Sequence, residues 1–252
     1  MSQGGTYTLT EHPNWKPQAS TDTSGDRHVN SLNWALPLLY RGVHKQVRPM
    51  VDRFRQLMYY WIADHRGKRG AWVDGSIYGG LRTQTLLCAA QTLNDPYIRD
   101  AALRDASAMM GARDRKGAAV IGANNTDLIR QTGALGVYCW VGDIRNRDRA
   151  WGNVVGVARG IVQHDGSDVE GSPGYAMYDE NLLSDVERAA ATCGIPADPI
   201  PAMKASMYEF VVNATQPDFQ LVALGDTVHE PLSKNFAVGD SRAEFVRSRG
   251  AI

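Results

Sequence analysis

The stretch DGSDVEGSPGYAMYDENLL, residues 165–183, gathers carboxylates, glycines and Tyr175 immediately ahead of a helix-like run. About fifty residues earlier, GANNTDL sets Asn124 and Asn125 ahead of another such run. A phenol that can lose and regain a proton, facing an amide that can bind a carboxylate, suits one reaction. The phenol removes the proton α to a uronate carboxyl group and then protonates the glycosidic oxygen expelled from the β position. The amide stabilises the charge that builds on the carboxylate. A free phenol titrates near ~10, so a neighbouring cation must depress it, and Arg82, Arg130 or His164 can serve.

Plainer readings exist for each residue. A tyrosine after Ser-Pro-Gly often only packs its ring, and an Asn before a helix is a standard N-cap, which accounts for one of Asn124 and Asn125. Glu170 holds its own loop or hydrogen-bonds Tyr175. Two of Asp165, Asp168, Glu170 and Asp74 could instead form the acid/base pair of a glycoside hydrolase, at a separation of about 5 Å or about 6.5–9.5 Å. With His164 the same carboxylates have the ligand types of a zinc or calcium site, but their spacing fits no metal loop, and no metal or cofactor is expected. Trp72 can stack on a sugar face or sit in the core. Arg82 can bind a uronate or lie on an exposed helix face. Asp226 and His229 in LGDTVHEP are candidates for the same rim. No phosphate-binding glycine loop, HExxH pair or nucleophile elbow is present.

These residues must be positioned by helices. Three- and four-residue apolar steps predict helices near 28–41, 47–65, 76–94, 97–112, 127–142, 147–163, 177–194 and 198–215, and period-two alternation is absent before residue 218. The helices pair, and the first members recur at steps of about fifty residues, the signature of repeated helical hairpins. No hairpin can bury its apolar stripe alone, so neighbours must pack side by side. The first helices, with TQTLLCAAQTL and IRQTGALGVYCWV, are the small apolar ones that an inner layer requires. The expected fold is all-α: an α/α toroid, an incomplete barrel of antiparallel hairpins over 28–215, after an irregular arm at 1–27 and before a terminal segment at 216–252. The loops leading into the first helices are rich in Gly, Trp, Asn and acids and would share one rim, whereas those at the other end read as plain turns.

The bulk properties exclude several classes. Lys plus Arg equals Asp plus Glu at 27 each, so no net field favours nucleic acid or an anionic membrane. No apolar run approaches the ~20 residues of a membrane span, and the amino terminus lacks the basic and apolar regions of a secretory signal. Cys88, Cys139 and Cys193 are widely spaced in apolar text, which predicts three buried free thiols in first-layer helices. Composition does not indicate an oligomeric state.

Three segments together, DGSDVEGSPGYAMYDENLLSDV, GANNTDLIRQTGAL and PDFQLVALGDT, resemble the heparinase II/III-like polysaccharide lyases over about residues 70–230. The resemblance implies an α/α toroid followed by a β-sandwich, periplasmic or secreted localisation, and cleavage of an acidic, uronate-containing polysaccharide. It sets the catalytic tyrosine at Tyr175 and the carboxylate-neutralising asparagine at Asn125. Residue type and position, not the resemblance, offer Asn124, Trp72, Arg82, His164 and Glu170 as the substrate-binding residues. Two positions depart from the pattern: Ala176 stands where the family commonly has His, and Thr126 where a His often follows the Asn. The chain reaches Ile252 about where the β-sandwich, which often supplies a catalytic histidine, should begin. The sandwich is therefore expected to be absent from this chain. A carbohydrate-binding remnant without catalysis is the non-enzymatic alternative.

Overall fold

A computed structural model describes residues 11, 13, 15, 28–66, 77–111, 122–216 and 218–227. Eight α-helices are formed there: α1 (Leu36–His44), α2 (Arg48–His65), α3 (Ile77–Leu93), α4 (Pro96–Met110), α5 (Asn125–Val141), α6 (Ile144–Ile161), α7 (Pro173–Thr192) and α8 (Ile200–Asn213). Among the described residues there is no strand, only isolated bridges such as Val162 with Asp168 and Thr215 with Leu221. The all-α expectation holds, and the helices fall close to the predicted spans.

The first expected helix differs. A helical turn at 28–31 stops at Leu32, whose φ is 62°, and a 3-10 turn (Asn33–Ala35) leads into α1. The physical reason is Pro37 in the first turn of α1. In a continuous helix it would remove a backbone donor and clash with the carbonyl four residues back. Ser31 adds a local competitor, with its hydroxyl 2.6 Å from both the His28 carbonyl and Asn33 Oδ1.

The chain divides into two compact units, Met1–Val120 with Ile129–Trp151, and Ile121–Leu128 with Gly152–Ile252. In the first, α1 packs on α2, α3 on α4, and α2 on α4. Its core includes Leu39, Phe54, Leu57, Trp61, Leu86 and Ile98, all fully buried. The turn into α4 shows how local chemistry fixes a helix start. Asp95 accepts from the Tyr97 and Ile98 amides at 3.0 and 3.3 Å, and Pro96 follows at the position whose N–H would be unused. The same carboxylate accepts the Tyr59 hydroxyl of α2 at 2.6 Å.

In the second unit α7 and α8 form the packed hairpin, with a Lys204–Glu187 ion pair across it. The buried face of α7 is Pro173, Ala176, Asp179, Leu183, Val186 and Ala190. From Ala176 onward this is a three-and-four-residue stripe with one carboxylate set into it.

The cysteine expectation is corrected. Cys139 and Cys193 are disulfide-bonded, and Cys88 is the free thiol. All three are half-buried rather than buried, and Cys193 lies just past the end of α7 instead of inside it. Wide separation in sequence places no bound on separation in the fold, so counting and spacing cysteines could not exclude a bridge.

Candidate active site at the first turn of α7

Tyr175 is the third residue of α7, not a loop residue ahead of it. Ser172 is the N-cap, its hydroxyl accepting from the Tyr175 amide at 3.4 Å, and Pro173 opens the helix. The Ser-Pro pair is a start signal placed four residues earlier than apolar periodicity suggests. A second hydroxyl arrives from far along the chain. Thr227 Oγ1 accepts from the Gly174 amide at 2.8 Å and lies 2.7 Å from Ser172 Oγ. The Ala176 amide already donates to the Ser172 carbonyl at 2.9 Å. The two amides that follow Pro173 are thus taken by side-chain oxygens, which leaves neither of them for an anion. Tyr175 is half-buried and Ala176 fully buried.

The loop before α7 is tightly folded. The Val169 amide donates to the Ile161 carbonyl at 2.9 Å, and the Gln163 amide to the Ser167 carbonyl at 2.8 Å. Gly166, at φ 82°, lies against the Ser206 backbone of α8 so closely that no Cβ fits. Asp165 is exposed and accepts both the hydroxyl and the amide of Ser167, which holds its carboxyl below the ordinary value. Asp168 is 2 % exposed; Oδ1 accepts the Glu170 amide, and Oδ2 is buried with no hydrogen-bond partner among the described residues. Burial pushes its carboxyl up, against the opposing backbone hydrogen bonds. Glu170 is exposed, and its carboxyl is raised by partial desolvation and then by Asp168 and Asp226. His164 is exposed on the same loop.

Asp179, one turn beyond Tyr175, joins this group and was not singled out from the sequence. It is 3 % exposed with Oδ1 unpartnered among the described residues. Burial, then Asp168 and Glu170, push its carboxyl up to about 7. The signal was present as a carboxylate within an otherwise apolar stripe. Among the described residues no group of three or more His, Cys, Asp or Glu side chains is arranged to hold a metal ion.

The two asparagines have separate places. Asn124 is the cap: its Oδ1 accepts the Asp127 amide at 2.8 Å, while Asp127 Oδ2 accepts the Gly122 amide at 2.6 Å. Asn125 is the first residue of α5 and half-buried, its Oδ1 3.3 Å from the Thr126 hydroxyl. Ala123 lies against Gly160 in the last turn of α6, where an added Cβ would meet the Ala123 Cβ at 2.5 Å. The start of α5 is therefore beside the end of α6, from which the 162–172 loop departs.

Arg82 requires a correction. It is 1 % exposed, donates to Asp105 Oδ1 from Nε at 3.0 Å and Nη2 at 2.7 Å, and stacks 5.0 Å from the Trp61 ring centroid. A guanidinium so enclosed holds the helix core rather than a sugar carboxylate. Apolar spacing could not show this, because the partner carboxylate lies on the next helix. Arg130 is equally buried, with Nη2 3.4 Å from the Met109 carbonyl. Trp72, Asp74 and His229 lie outside the described residues, and Asp226 is exposed beside Thr227.

No protein-family model and no curated protein sequence matches the chain. Solved structures do. Heparan sulfate lyase HepC from Pedobacter heparinus is similar over 99 % of this chain and 43 % of its own, with a TM-score of 0.67 at 13 % identity. A heparinase III gene product with methylated lysines is similar over 99 % of this chain and 44 % of its own, at 0.66 and 15 %. The chain spans less than half the length of these structures, and at such identity the likeness is one of fold. Its helical hairpins thus have the α/α toroid architecture of heparan sulfate lyases, the fold to which its sequence motifs point.

Proposed function

We propose that this chain is a polysaccharide lyase that cleaves a uronate-containing polysaccharide by β-elimination, its toroid hairpins running over 28–215. What carries the reading is the half-buried Tyr175, held in a fixed first turn of α7, in a chain with the fold of heparan sulfate lyases. Tyr175 takes the proton α to the uronate carboxyl group, the β carbon–oxygen bond breaks, and the same phenol protonates the departing oxygen. Asn125 donates to the carboxylate as its charge grows. The Asn124 side chain is occupied as a cap, which leaves Asn125 as the amide available for this role. The loop residues His164 and Glu170 flank the sugar chain. Of the carboxylates offered for a hydrolytic pair, Asp165, Asp168, Glu170 and Asp74, burial argues against Asp168, which is 2 % exposed.

Heparan sulfate is the first substrate to test. Elimination creates a carbon–carbon double bond conjugated to the carboxylate, which absorbs in the ultraviolet and consumes no water. Tyr175→Phe keeps the ring, so kcat should fall by ~10²–10⁴ while the melting temperature stays nearly constant. A wild-type chain that forms the product and a Tyr175→Phe variant that matches it would remove Tyr175 from the mechanism.

A further inference from the structure

We infer that Thr227 is a positioning residue for Tyr175, locking the first turn of α7 from a point far along the chain; this rests on the lyase reading above. Pro173 has no amide to offer, so the turn presents the Gly174 and Tyr175 amides as its free donors. The local cap Ser172 serves Tyr175 at 3.4 Å, and Thr227 serves Gly174 at 2.8 Å from 53 residues away. The two hydroxyls are themselves joined at 2.7 Å and nearly excluded from water, Ser172 being 1 % and Thr227 6 % exposed. Thr227 is in turn held by its own backbone, its amide donating to the Leu224 carbonyl at 3.0 Å.

Glycine beside the tyrosine makes this lock consequential. Gly174 has the widest backbone freedom of any residue type, and it directly precedes the residue whose hydroxyl must meet a substrate proton. Without the Thr227 contact the turn is fixed by Ser172 alone, and displacement of a reacting group by about 1 Å can cost ~10²-fold in rate. The lock also takes up the amides that would otherwise attract a sugar carboxylate to the α7 terminus. Binding of that carboxylate is thereby left to other groups, Asn125 first among them.

The test compares Thr227→Val, which keeps the shape and removes the hydroxyl, with Thr227→Ser, which keeps the hydroxyl. Steady-state kinetics on heparan sulfate should show kcat down by about 10- to 100-fold in Thr227→Val, with KM within about twofold, and recovery to within about threefold in Thr227→Ser. Amide hydrogen exchange at Gly174 should accelerate at least about tenfold in Thr227→Val and return toward wild type in Thr227→Ser. Unchanged kcat in Thr227→Val, or an equal loss in Thr227→Ser, would overturn the positioning role while the lyase reading stands. A wild-type chain that makes no unsaturated product overturns the lyase reading and this catalytic role with it. In that outcome, accelerated Gly174 exchange in Thr227→Val would mark Thr227 as a structural clamp alone.

Discussion

A single carboxylate on the buried stripe of α7 sets the clearest expectation at the residue scale. Asp179 faces Asp168 from the preceding loop, with Glu170 beside them, and its carboxyl is pushed up to about 7. An acid whose folded value lies above the ordinary 3.8 contributes stability fully below that ordinary value. The contribution is lost as pH rises through about 7, when the carboxyl must ionise in place. Asp168 and Glu170 are raised in the same direction, so they reinforce the trend. Melting temperature should therefore fall between pH 4 and pH 8, and Asp179→Asn should flatten part of that fall. Charging a carboxyl at this position costs on the order of a few kcal/mol, enough to raise the variant's melting temperature above wild type at pH 8. Parallel pH curves for the two proteins would show that Asp179 is not the group that titrates.

At the scale of elements, the start of α5 separates two asparagines that look alike in sequence. Asn124 accepts the Asp127 amide as a cap, and Asn125 lies one residue inside the helix. Asn124→Ala should cost ~0.5–2 kcal/mol of stability, read by chemical denaturation, with turnover changed mainly through that loss. Asn125→Ala should alter stability by less than about 0.5 kcal/mol yet cut turnover on heparan sulfate, because the carboxylate charge is left unmatched. Equal stability losses in both variants would mean that the cap is shared, and an active Asn125→Ala would move the neutralising role elsewhere. The loop before α7 is an element in its own right, since Gly166 seats it on α8 and the Val169 amide ties it back to the end of α6. Within it Asp165 accepts from Ser167, and Asp168 accepts the Glu170 amide, so these two carboxylates are held in place.

For the whole molecule, the cysteines give a direct count. With Cys139 and Cys193 disulfide-bonded, denaturation without reductant should expose one titratable thiol per chain, Cys88, and reduction should expose three. Three thiols without reductant would exclude the bridge. Reduction should also lower the melting temperature, since removing a native disulfide typically costs about 2–5 kcal/mol.

The sequence by itself determined the helices and the signals that start them. Apolar steps such as Phe54, Leu57, Met58 and Trp61, and starts such as Asp-Pro before α4, act through backbone and side-chain groups a few residues apart. The fifty-residue recurrence then carried the hairpin architecture. What the tertiary structure decided lies between residues distant in the chain. It committed Arg82 to Asp105, 23 residues away, and brought Thr227 onto Ser172 across 55 residues. It also raised the Asp179 carboxyl by burying it beside two others. Local periodicity reports which face of a helix is buried, but not which partner waits there. Desolvation and long-range hydrogen bonds act only once packing has chosen that partner.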